Sequence, residues 1–174
     1  DVEHPITMTL EEAYDGASRR LSLESSSGQS RRVEVKIPPG VREGSRVRVA
    51  GEGEQGHAGA SAGDLFLRVQ LSSHPTFSRQ GQDLYVKITL PVITAVLGGR
   101  VSVPRLKGTA LGLKVPPSTQ SGQVFRLRGH GMPSLGTTPS GDLYATATVR
   151  VPEHLTDAQR QHYEALAQLE PTAT

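Results

Sequence analysis

The chain repeats itself. IPPGVREGSRVRVAGEG (residues 37–53) lies over VPPSTQSGQVFRLRGHG (115–131) without a gap, at an offset of 78. Pro38, Pro39, Gly44, Gly51 and Gly53 fall on Pro116, Pro117, Gly122, Gly129 and Gly131, and beyond a loop Gly63-Asp64-Leu65 falls on Gly141-Asp142-Leu143 at the same offset. Upstream, LEEAYDG (10–16) resembles LPVITAVLG (90–98), with Ala13 on Ala95 and Gly16 on Gly98 at an offset of 82. The difference of four residues fits the longer loop ESSSGQSRR of the first copy. Glycines that coincide on both sides of a loop mark a duplicated unit. Two homologous modules are therefore expected, 1–80 and 81–154, followed by a distinct segment, 155–174.

Each module reads as β. ITMTL, RLSLE, RVEVKI, RVRVA and DLFLRVQL alternate apolar with polar residues, and the second copy answers with DLYVKITL, RVSV, LGLKV, VFRLRG and DLYATATVRV. Alternation buries one face of a sheet and wets the other. Short helical turns are expected at LEEAYDG and PVITAVLGG, with Gly16 and Gly98 as C-terminal stops. The last segment differs: Thr156 reads as an N-cap, Asp157 sits in the first turn, and Pro171 ends the pattern. Tyr163, Leu166 and Ala167 follow at i, i+3, i+4, flanked by Leu155 and Leu169, which predicts an amphipathic helix whose apolar stripe must pack on the second module or on another chain.

Composition narrows the chemistry. There is no Cys, which excludes disulfides, thiolate metal sites and a cysteine nucleophile, and no apolar run approaches the ~20 residues of a membrane helix. Gly51-Glu52-Gly53-Glu54-Gln55-Gly56 matches a dinucleotide fingerprint in letters only. No helix N-terminus follows it, and its two glutamates repel phosphate. Gly59-Ala60-Ser61-Ala62-Gly63 matches a nucleophile elbow but lacks the strand before and the helix after. The six histidines, His4, His57, His74, His130, His154 and His162, show no metal-ligand spacing, and His74-Pro75 reads as a turn. The carboxylate pairs Glu11-Glu12 and Glu52/Glu54 lie in a helical turn and a loop, without the apolar walls of an acid–base pair. The expectation is a non-enzyme without cofactor or metal. Charge is uneven: residues 17–50 carry eight Lys or Arg against three Glu, and residues 87–150 carry eight against Asp142 alone. These are solvated strand faces or a surface for an acidic partner.

The string VEVKIPPGVREGSRVRVAGEGEQG, followed by GDLFLRVQLSSHPTFSRQGQDLYVKITLPVITAVLGG and, in the second copy, SGDLYATATVRVP, resembles the C-terminal client-binding region of DnaJ-type co-chaperones over residues 5 to 165. The resemblance implies an all-β fold of two tandem β-sandwich-like modules and a C-terminal helix that joins two protomers into a V-shaped dimer. It implies a co-chaperone that binds extended apolar segments of unfolded polypeptides and delivers them to a DnaK-type chaperone. The client groove falls on the first module, at Ile6, Met8, Leu21, Leu23 and Phe77. Arg19 and Arg20, beside Leu21, are the expected contacts for the chaperone's acidic tail, and Leu155, Tyr163, Leu166 and Leu169 the expected dimerisation residues. The second module carries Pro104 and Arg105 in the strand that corresponds to RLSLE, so it is expected to be a weaker client site and a spacer.

Two departures matter. The J-domain's His-Pro-Asp tripeptide has no counterpart beyond His74-Pro75-Thr76, so this chain by itself is not expected to stimulate DnaK hydrolysis. The Cys-rich zinc insertion is missing at the Ser25–Arg31 loop, which places the resemblance with the zinc-free class, including the curved-DNA-binding type. Sequence-tolerant DNA binding, weak and salt-sensitive, is the alternative function, although no base-reading helix or aromatic stacking surface accompanies it. A carbohydrate-binding sandwich is disfavoured by the lack of Trp. The start at Asp1 reads as part of a longer protein, and the cytoplasm is the expected location.

Overall fold

The computed structural model describes residues 1–24, 28–54 and 61–171. The first module runs β1 (Val2–Met8), α1 (Leu10–Asp15), β2 (Ala17–Glu24), β3 (Ser30–Ile37), β4 (Arg46–Val49) and β5 (Leu65–Leu71). Then come β6 (Phe77–Gln80), β7 (Asp83–Pro91), α2 (Val92–Leu97), β8 (Gly99–Val103), β9 (Leu111–Val115), β10 (Val124–Leu127), β11 (Leu143–Arg150) and α3 (Asp157–Leu169). The fold is all-β, as the alternation required. In each module a mixed sheet is faced by a two-stranded ribbon. The first has sheet β1-β5-β4 and ribbon β2-β3, the second sheet β10-β11-β7-β6 and ribbon β8-β9.

The first and last long strands of each module pair in parallel, β1 with β5 and β7 with β11. Their inward positions form the core. Leu65, Leu67 and Val69 of β5, and Leu143 and Ala145 of β11, are fully buried. Pro5 in β1 fits an edge strand, where a missing N–H breaks no ladder.

The duplication extends to hydrogen bonds. Asp64 accepts from Gly51 N–H at 3.0 Å and from Arg48 at 2.5 Å. In the second copy Asp142 accepts from Gly129 N–H at 2.8 Å and from Arg126 at 2.7 Å. Asp1 and Asp83 accept from the amides of Asp64 and Asp142 at 2.7 and 2.8 Å. Gly16 and Gly98 end the short helices at φ 78°, where a Cβ would also press on the carbonyls of Ile37 and Val115. Those two positions explain why the repeat keeps glycine after each helix.

One strand was not foreseen. Phe77–Gln80 pairs antiparallel with β7 through the turn at Gly81, so it joins the second module's sheet, although the division at residue 80 had put it with the first. Arg79 in β6 reaches back across the joint: its Nη1 donates to Val41 O at 2.7 Å and its Nε to Gly81 O at 2.7 Å. Burial lowers its pKa from the ordinary arginine value, so these carbonyls are its compensation. Lys107 and Asp15 form a second link between the copies, at 2.5 Å.

Helix α3 starts as predicted. Thr156 accepts from Gln159 N–H at 3.2 Å, and Gln159 returns the bond to Thr156 N–H at 2.9 Å. Its apolar stripe packs only partly on its own chain. Leu155 and Tyr163 are half-buried, whereas Leu166 and Leu169 are 57% and 81% exposed.

Candidate polypeptide-binding site

The β2–β3 ribbon supplies the open edge. Among the described residues β2 pairs with β3 alone and β1 with β5 alone, so each leaves one row of backbone groups without a strand partner. Strand alternation sorts β2's side chains. Ala17, Arg19, Leu21 and Leu23 are half-buried on the inner face, and Ser18, Arg20, Ser22 and Glu24 are exposed on the outer one. Leu21 and Leu23 pack against the core without being sealed in it, Leu21 in register with the buried Val33 of β3 and Leu23 with Arg31.

Leu23 also lines a cleft of about 530 Å³, bounded by Val2 and His4 of β1, Arg31 of β3, Glu52 and Glu54 after β4, and Leu65. Arg31 is tied to this wall: its Nη2 donates to Gly53 O at 2.9 Å and its Nη1 stands 3.3 Å from Glu52. Gly51–Glu54 therefore forms a cleft wall. Gln55 and Gly56 of that glycine loop, His57, Gly59 and Ala60 of the elbow-like string, and Ser25–Ser27 of the serine loop lie outside the described residues.

The remaining groove residues fall elsewhere. Ile6 and Met8 belong to the core, at 6% and 1% exposed. Phe77, 6% exposed, is also a core residue, at the edge of a different cleft of about 410 Å³ at the joint, with Leu10, Leu71, His74 and Arg79. So the structure distributes the five residues over a ribbon face, the core and two clefts. The sequence could not show this, because Phe77's place depends on the β6–β7 pairing.

Arg19 and Arg20 point to opposite sides of β2. Arg19 Nη2 lies 2.6 and 2.7 Å from the two carboxylate oxygens of Glu12, which also closes a capping box with Thr9. Arg20 stands on the exposed face, in register with Glu34 of β3. The two arginines thus do not form one patch.

The turn His74–Phe77, first read as punctuation, is built around an imidazole. His74 Nδ1 accepts from the amides of Thr76 at 3.0 Å and Phe77 at 3.1 Å, and Nε2 is 2.8 Å from Glu11 Oε1. Glu11's own backbone N–H and the histidine lower its carboxyl pKa from the ordinary value, against the opposing effect of burial. The H-x-x-F spacing was the available signal for this turn. A third cleft, of about 560 Å³, lies between α3 and the second module, lined by Pro91, Ile93, Val151, Leu155 and Tyr163. Next to it α2 presents Ile93, Val96 and Leu97, all more than half exposed, where α1 has Glu11, Tyr14 and Asp15. Among the described residues no group of three or more His, Asp or Glu is placed to hold a metal ion, and no helix is long and apolar enough to cross a membrane.

Duplicated β modules, each a mixed sheet faced by an open-edged ribbon, define a class of tandem β scaffolds. The family model for the DnaJ C-terminal domain matches residues 2–152, and this chain belongs to that family. It is 42% identical to the chaperone protein DnaJ of Leptospira biflexa over 144 residues, covering 83% of this chain and 38% of that protein. To the chaperone protein DnaJ of a Chelativorans species it is 43% identical over 150 residues, covering 86% and 40%. To the curved DNA-binding protein of Coxiella burnetii it is 38% identical over 180 aligned positions, covering 98% and 56%. The chain thus spans between about two fifths and just over half the length of these relatives.

Proposed function

We propose that this chain is the client-binding part of a co-chaperone, holding extended apolar segments of non-native polypeptides for a DnaK-type partner in the cytosol. One observation carries the reading: Leu21 and Leu23 are half-exposed on a ribbon whose outer strand has an open edge. Edge pairing recognises any extended backbone, and apolar pockets take alternate side chains. Each filled pocket contributes roughly 1–2 kcal/mol, and micromolar affinity needs about 8, so the ribbon and the Phe77 cleft must act together. Family membership and the DnaJ relatives support the same reading. Ile6 and Met8 act from beneath, as the packing on which this surface rests.

Arg20, on the exposed face, is the proposed contact for the partner's acidic tail, and Arg19 holds α1 to the ribbon through Glu12. The apolar stripe of α3, Tyr163, Leu166 and Leu169, with Leu155 just before the helix, is the proposed dimer contact, which presents two grooves to one client.

The test is suppression of aggregation of a denatured protein, with Leu23→Glu and Phe77→Ala each expected to reduce it severalfold. Full suppression by both variants would refute the groove. A second reading, sequence-tolerant DNA binding, is favoured by Arg100 standing directly opposite Lys114 on the exposed β8–β9 face and by the similarity to the curved DNA-binding protein of Coxiella burnetii. A gel shift at two salt concentrations separates the readings, because phosphate contacts weaken steeply with salt.

A further inference from the structure

The turn between the modules carries an imidazole in an unusual role. Two backbone amides donate to His74 Nδ1, so that nitrogen carries no proton and the ring is the Nε2–H tautomer, donating to Glu11. Pro75 lies between donor and acceptor residues and contributes no competing N–H. The ring also packs against Phe77, with centroids 5.4 Å apart and planes tilted at 58°. One side chain therefore fixes three things: the turn, the Phe77 ring at its cleft, and the first module's α1 against the joint.

We infer that His74 is a positioning residue for Phe77 and makes that part of the client site responsive to acidification. The inference rests on the client-binding reading of Phe77. A proton on Nδ1 sets an N–H against the N–H groups of Thr76 and Phe77, and both bonds are lost. Glu11 on α1 faces the ring, and Lys107 in turn faces Glu11. Across the cleft stand Arg42 and Glu43 from the β3–β4 loop, and Arg79 from β6. The turn is thus the part that acid undoes, while Glu11 keeps the charged ring attached to α1. Phe77 is then released from its seat while the modules stay joined through Arg79 and Lys107.

The test uses the full 174-residue chain. Hydrogen-exchange protection at the Thr76 and Phe77 amides is measured between about pH 8 and about pH 5, together with the affinity for a fluorescent Leu/Phe-rich extended peptide. Acidification is expected to lower both protection factors about fivefold or more, the equivalent of one lost hydrogen bond, and to weaken peptide binding in step. His74→Asn supplies a non-titrating oxygen that accepts from amides two and three residues on, as asparagine does in turns, so the protection of the two amides no longer changes with pH. Protection unchanged with pH in the parent chain, or the same fall in His74→Asn, overturns the inference. A parent chain that binds no peptide at any pH sinks the client-binding reading alone, because exchange at the two amides still decides the role of His74.

Discussion

Asp64 and Asp142 do the same work in the two copies. Each gathers a glycine amide and an arginine around a tight turn, and each carboxyl is held below the ordinary aspartate pKa, first by that amide and then by the arginine. A lowered folded-state value means stability that is present above the ordinary aspartate pKa and lost as pH falls through the folded one. The double variant Asp64→Asn/Asp142→Asn is therefore expected to melt lower than the parent at neutral pH. The two melting curves approach each other as pH falls from the ordinary aspartate pKa, about 3.9, through the lower folded-state value. A parallel offset at every pH, followed by circular dichroism, would contradict this. The residue scale also explains the repeat glycines that sequence alone only located: a Cβ on Gly53 or Gly131 would stand 2.6 or 2.5 Å from the facing backbone.

At the scale of elements, the two ribbons have diverged. On β2–β3 Arg20 faces Glu34, whereas on β8–β9 Arg100 faces Lys114. Like charges directly opposite on a strand pair destabilise it, and opposite charges contribute roughly 0.2–1 kcal/mol. Lys114→Glu should raise stability by about that amount in urea unfolding. If DNA binding is real, the same change also weakens it; an unaltered gel shift counts against that face. The short helices diverged in parallel, α1 keeping acids that hold Arg19, His74 and Lys107 while α2 turned apolar and exposed.

For the whole molecule, Ile93 of α2 lines one cleft with Leu155 and Tyr163, beside the exposed Leu166 and Leu169 of α3, and a second copy is the occupant the proposed dimer requires. Deletion of residues 155–174 is expected to give a monomer in light scattering; an unchanged dimer excludes α3 as the contact. Much of this architecture was legible beforehand. Among the described residues period-2 alternation located ten of the eleven strands, and Thr156 and the stop glycines located the helices. The site was less legible. Leu21 and Leu23 could be put on one strand face, but Arg19 and Arg20 could not be judged a pair until alternation was set against Glu12. Phe77 could not be placed until β6 was seen to join β7. By itself the chain determined the duplication, the β class and the local stops, because glycine, proline and alternation act through backbone sterics and nearest neighbours. Only the tertiary structure decided the parallel pairings, the partners of His74 and Arg79, and which apolar side chains stay half-exposed. Those depend on groups far apart in sequence, whose meeting is set by the packing of the entire chain.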